Sequence, residues 1–174
     1  RNKWFHEQLT LFPQQVAAHA SSLLKSYKGA QKLSRQQLRD VFKWEPPDPD
    51  MLKLNVDGAV FSQMGKAGMG AIVRNSVGSV LMAASILESD VAEPEHIEVT
   101  TVFRGLQLCA SMGIEKIQVE SYCLLAIEAV QKDNMVNSLL GGLYAEIKKL
   151  SSCFRECVFH HVYREANMAA HYLA

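Results

Sequence analysis

The stretch Leu52-Lys53-Leu54-Asn55-Val56-Asp57-Gly58-Ala59 decides how this chain is read. Leu52, Leu54 and Val56 alternate with Lys53, Asn55 and Asp57, the period of two expected of a strand with one buried face. A carboxylate followed by glycine closes the run, so the pattern predicts that Asp57 ends the strand where the backbone turns. Two readings of Asp57 stand at this point: a solvent-facing residue before a turn, or a metal ligand placed at a strand end.

Working outward, Gly65 to Gly70 reads as a glycine-rich turn, Met69 to Arg74 as a second strand, and Ser79 to Leu87 as a third. Short connections between them mark an antiparallel meander. Gly65-x-x-Gly68-x-Gly70 is a weak phosphate-loop pattern, because it precedes a strand instead of opening a helix. Glycines that let a strand lie close to its neighbours account for it better. Pro94 and Glu95 open a long helix ending near Gly113. Lys116 to Glu120 forms a fourth strand, followed by helices over Leu124–Val130 and Leu139–Leu150. Cys157 to Tyr163 makes a fifth strand, and a last helix begins at Ala166. The order β-β-β-α-β-α-α-β-α predicts an α/β fold, a mixed sheet with helices packed on it.

Upstream of the first strand, apolar residues recur at helical intervals from Trp4 to Val41, which predicts a helical segment over residues 1–43 that carries no chemistry. Trp44-Glu45-Pro46-Pro47-Asp48-Pro49-Asp50 breaks regular structure and reads as a semi-rigid linker over residues 44–50. The main domain is then 51–174. At 174 residues, with 48 % hydrophobic and 21 % charged residues, the chain has the composition of a globular domain plus an appendage. It begins at Arg1 and reads as a piece of something longer. No apolar run approaches the ~20 residues of a bilayer span and no signal-peptide pattern opens the chain, so an intracellular protein, nuclear or cytoplasmic, is expected.

Charge is uneven. Residues 1–50 carry a net charge of +3 and residues 51–174 of −3. The larger part is not the basic body of a tight nucleic-acid binder. Cys109, Cys123, Cys153 and Cys157 lack a disulfide framework and read as reduced thiols. Cys153-x-x-x-Cys157 with His160 and His161 does not make a zinc site, since a strand there sends neighbouring side chains to opposite faces.

Five segments in order carry a family resemblance. They are Trp44-x-Pro46-Pro47, Asn55 to Ala59, Gly68-x-Gly70 leading to Val73-Arg74-Asn75, Glu98 seven residues before Gly105-Leu106, and His161 to Asn167. Together they resemble the ribonuclease H fold, in the form found in plant retroelements downstream of a reverse transcriptase. The resemblance implies a five-stranded mixed sheet and hydrolysis of the RNA strand of an RNA–DNA hybrid with two Mg²⁺ (or Mn²⁺) ions about 4 Å apart.

It also implies four carboxylates. Two are present, Asp57 and Glu98, and both are expected to be catalytic and metal-binding. Helical spacing supports Glu98, because Glu98, Val102 and Leu106 share a face. The other two family positions hold Tyr122 and His171. A phenol is a poor Mg²⁺ ligand and a neutral imidazole suits transition metals better, so weakened metal binding and impaired hydrolysis are expected. Glu120, two residues before Tyr122, is the candidate to compensate, and His171 a candidate Mn²⁺ ligand. Gly58, Ala59 and Asn167 are expected to meet nucleic acid, with ribose hydroxyls as one target. The alternative function is a non-catalytic protein-interaction or structural module. Oligomeric state is not readable from these patterns.

Overall fold

A computed structural model describes residues 42–89, 93–131 and 140–174, together with Ser21, Leu24, Lys25 and Lys28, which are helical. The expected helices of residues 1–41, these four positions apart, lie outside the described residues. The chain divides into two compact units, 1–38 and 39–174.

In the second unit, β1 (Leu52–Phe61), β2 (Lys66–Arg74) and β3 (Val80–Ser89) form the meander. Then come α1 (Pro94–Ser111), β4 (Lys116–Ser121), α2 (Leu124–Gln131), α3 (Gly141–Ser151), β5 (Glu156–His161) and α4 (Met168–His171). The five strands lie in the order β3-β2-β1-β4-β5. β1 is antiparallel to β2 and parallel to β4, which is parallel to β5. The mixed sheet with helices therefore has the expected element order, and Asp57 stands on its central strand. Among the described residues no helix is long and apolar enough to cross a membrane.

One face of β1 supplies Leu54 and Val56 to a core shared with Val99, Val102 and Leu106 of α1 and with Ile117, Val119 and Ile147. α1 crosses β1 closely at Gly105. A Cβ there would lie 2.8 Å from Val56 Cγ1 and 3.0 Å from Leu54 Cδ2.

Two sequence expectations change here. β1 does not end at Asp57; it runs on to Phe61, and Asp57 pairs with Gly70 inside the β1–β2 ladder. Nor is its polar face open: Lys53, Asn55 and Asp57 are 3 %, 0 % and 1 % exposed. Alternation could not reveal this, because the cover comes from distant segments. Trp44 and Glu45 lie over Lys53 and Asn55, and the C-terminal turn lies over Asp57.

The glycine-rich stretch also differs from a turn. Gly68 and Gly70 are interior residues of β2. A Cβ on Gly70 would collide with the carbonyl oxygen of Ala170, and one on Gly68 with that of Ala174. These glycines admit the C-terminal helix against the sheet, so close backbone approach, not phosphate binding, explains the spacing. Backbone cannot swing aside as a side chain can. Gly70→Ala is therefore expected to destabilise the domain by about 2 kcal/mol or more, measured by urea unfolding, and to loosen the segment that carries His171. Unchanged stability would contradict this packing.

Candidate active site

Asp57 reaches the site from the middle of β1 and Glu98 from the first turns of α1, both essentially buried at 1 % and 5 % exposure. The nearby Gly58 N–H favours the ionised form of both carboxylates. Tyr122, just beyond the end of β4, stands beside Glu98, and its hydroxyl opposes the rise of that carboxyl. His171, on the last turn of α4, places Nδ1 2.7 Å from Asp57 Oδ2. The sequence thus names four residues that the fold does bring together.

The electrostatics follow from burial. Loss of water and the neighbouring Asp57 carboxylate push the Glu98 carboxyl up to about 8. Burial also raises Asp57, while hydrogen bonding from His171 and the charge of Arg164 oppose that rise. The Tyr122 hydroxyl is raised by burial and then by Glu98, so it stays a donor at neutral pH.

Other expected residues lie elsewhere. Glu120 is directed away from the pair: its carboxylate meets Lys53 Nζ at 2.6 Å, Asn55 Nδ2 at 2.8 Å and Gln118 Nε2 at 3.0 Å. The strand period places Glu120 with Asn55, its partner in the β1–β4 register, and that partnership claims the carboxylate. Asn167 is 1 % exposed, donates Nδ2 to the Val56 carbonyl at 2.8 Å and accepts from Asn55 at 3.1 Å. It braces the interior and presents nothing to a ligand. Gly58 and Ala59 are half-buried on β1 opposite Met69 and Gly68.

Two features escaped the sequence reading. Arg164, on the 3-10 turn Arg164–Asn167, places Nη2 2.7 Å from His171 Nε2, with its guanidinium 6.0 Å from the Tyr122 ring centroid. Asn55 binds four partners. Its Oδ1 accepts from Trp44 Nε1 at 3.1 Å and Arg74 Nη2 at 2.6 Å, and its Nδ2 donates to Glu120 and Asn167. Trp44 in turn covers the Arg74 guanidinium, 3.9 Å from the ring centroid. The two-residue alternation that buries Leu54 puts Asn55 on the polar face, but no local signal names its partners.

The resemblance implies a metal pair at these groups. Asp57 Oδ1 and Glu98 Oε2 are buried without hydrogen-bond partners, an arrangement that one cation could satisfy. Yet among the described residues no group of three or more His, Cys, Asp or Glu side chains is arranged to hold a metal. Both His171 nitrogens are engaged, and Glu120 is held by Lys53. The donors do not fit two divalent ions.

The model of the family described as reverse transcriptase-like matches residues 55–174. The chain belongs to that family. Among solved structures, the N-terminal RNase H domain of a Mycobacterium tuberculosis protein, solved as a fusion with maltose-binding protein, is 26 % identical at a TM-score of 0.64, covering 71 % of this chain and 90 % of that one. RNase H1 of Halobacterium salinarum shares the fold at 19 % identity and a TM-score of 0.63, over 71 % of this chain and 94 % of that one. LC11-RNase H1, isolated from compost and solved with an RNA/DNA hybrid, does so at 22 % and 0.63, over 70 % and 92 %. No curated protein matches the sequence. This reverse transcriptase-like domain has the RNase H-like fold.

The raised Glu98 carboxyl gives a signed prediction. Folding favours its neutral form, so its contribution to stability is full below the ordinary value of 4.5 and is lost as pH rises to about 8. Glu98→Gln removes that loss. In metal-free buffer the variant is expected to exceed the parent by at least about 1 kcal/mol at pH 8, with the difference vanishing near pH 4.5, as followed by urea unfolding. A constant difference across this window would refute the assignment.

Proposed function

We propose that this domain binds RNA–DNA hybrid and that its two-metal hydrolysis is impaired. The observation that supports this most directly is the fate of the two substituted positions. Tyr122 stands beside Glu98, and His171 lies 2.7 Å from Asp57, where ligand carboxylates would add charge and coordination. Two-ion hydrolysis needs several anionic oxygens converging on the ions that activate water and stabilise the leaving oxygen. Asp57 and Glu98 are two.

Hybrid as ligand is supported by membership of the family and by the hybrid bound to LC11-RNase H1. We further place the domain downstream of a retroelement polymerase of the plant type, intracellularly, on the motifs from Trp44 to Asn167. A second reading, a protein-interaction module, has one observation in its favour: the edge strand β3 exposes Val80 at 56 %, Leu81 at 48 % and Leu87 at 60 %.

Labelled hybrid incubated with the parent and with Asp57→Asn, in Mg²⁺ and in Mn²⁺, is expected to show the same background cleavage. Binding without cleavage should weaken about tenfold between about 50 and 200 mM salt. No binding at low salt favours the interaction module. The double variant Tyr122→Asp with His171→Asp is expected to raise cleavage at least about tenfold. A double variant that folds and binds hybrid yet stays at background would defeat the missing-ligand account.

A further inference from the structure

The contacts around Asp57 assign a role to Arg164 that the sequence motifs do not. A guanidinium has only hydrogen-bond donors. Arg164 Nη2 lies 2.7 Å from His171 Nε2 and 3.4 Å from Nδ1, and Nδ1 lies 2.7 Å from Asp57 Oδ2. Arg164, His171 and Asp57 form one continuous chain of polar contacts. Neither imidazole nitrogen is left as a metal ligand, which removes the expected Mn²⁺ role of His171.

Asp57 is 1 % exposed, and a buried carboxylate requires a counter-charge or dense hydrogen bonding. Its own neighbours on β1 cannot supply one, because Lys53 is already paired with Glu120 at 2.6 Å. Arg164 can. It approaches from the turn before α4, lies over the Tyr122 ring, and its charge favours the ionised forms of both Asp57 and Glu98.

We propose that Arg164 is the resident counter-cation of this site, coupled to Asp57 through His171, and that the domain holds its carboxylate pair without a divalent ion. The proposal rests on the reading of an impaired metal centre and carries it further: the centre has been rebuilt around an internal cation and is not merely short of ligands. Its test needs no nucleic acid, so it can fail while hybrid binding without cleavage still holds, and the reverse.

The test is thermal unfolding of the full chain after chelation, with MgCl₂ at about 10 mM compared with NaCl of equal ionic strength, so that general screening cancels. The parent is expected to shift by less than about 1 °C, whereas Arg164→Ala unfolds about 2–4 °C lower in metal-free buffer. Arg164→Lys, which keeps a charge, should recover part of that loss; recovery distinguishes counter-charge from packing. His171→Asp breaks the relay and adds a carboxylate, and Mg²⁺ should raise its midpoint by at least about 2 °C. If His171→Asp does not fold, Arg164→Ala serves the same purpose, with Mg²⁺ restoring part of its lost midpoint. A Mg²⁺-specific rise in the parent as large as in these variants would overturn the proposal. So would an Arg164→Ala midpoint equal to the parent's.

Discussion

The side-chain amide of Asn55 is the constraint on which the polar half of this domain depends. It stands on the central strand, 0 % exposed, and fills its hydrogen-bonding capacity with Trp44, Arg74, Glu120 and Asn167. Each bond alone is worth about 1 kcal/mol, but a buried polar group left unpaired costs about 1–3 kcal/mol. The network is therefore held nearly complete or lost in several places together. Asn167 then passes the order on: its bond to the Val56 carbonyl fixes the turn that delivers Arg164 and the helix that delivers His171 to Asp57. The site is positioned by a hydrogen-bonded brace on the polar face of β1 and by the apolar packing of α1 on the other.

That two-sided burial sets the chemistry. Withdrawing Asp57 and Glu98 from water raises both carboxyls and couples them. A metal-dependent nuclease would relieve such a pair with divalent ions. Here the neighbours are a phenol, an imidazole and a guanidinium, and each satisfies part of the pair by donating hydrogen or charge. On the reading proposed above, groups that stabilise the carboxylates in this way compete with the ions that hydrolysis needs.

Residues 44–50 show why composition alone reads a boundary incompletely. Three prolines do exclude regular structure. Yet Pro47 is buried, the Glu45 carbonyl accepts from Lys53 Nζ at 2.6 Å, Asp50 pairs with Lys116, and Trp44 covers Arg74. A proline-rich strap with little backbone freedom loses little entropy on docking, so this stretch serves as a cover for the sheet's polar face.

What the sequence determined by itself is what local periodicity and spacing can carry. The order of strands and helices and the core positions Leu54, Val56, Val102 and Leu106 were legible, because each is a matter of residue type and interval along the chain. The tertiary structure alone decided that β1 runs past Asp57 and is buried on both faces, and that Glu120 belongs to Lys53 and Asn55. It also decided that Asn167 faces inward and that Arg164 reaches Asp57 through His171. These depend on contacts such as Asn55 with Asn167, 112 residues apart, and His171 with Asp57, 114 apart. A side chain's partner at that separation is set by how the sheet, the strap and the last helix pack together. No pattern within a few residues of Asp57 encodes it.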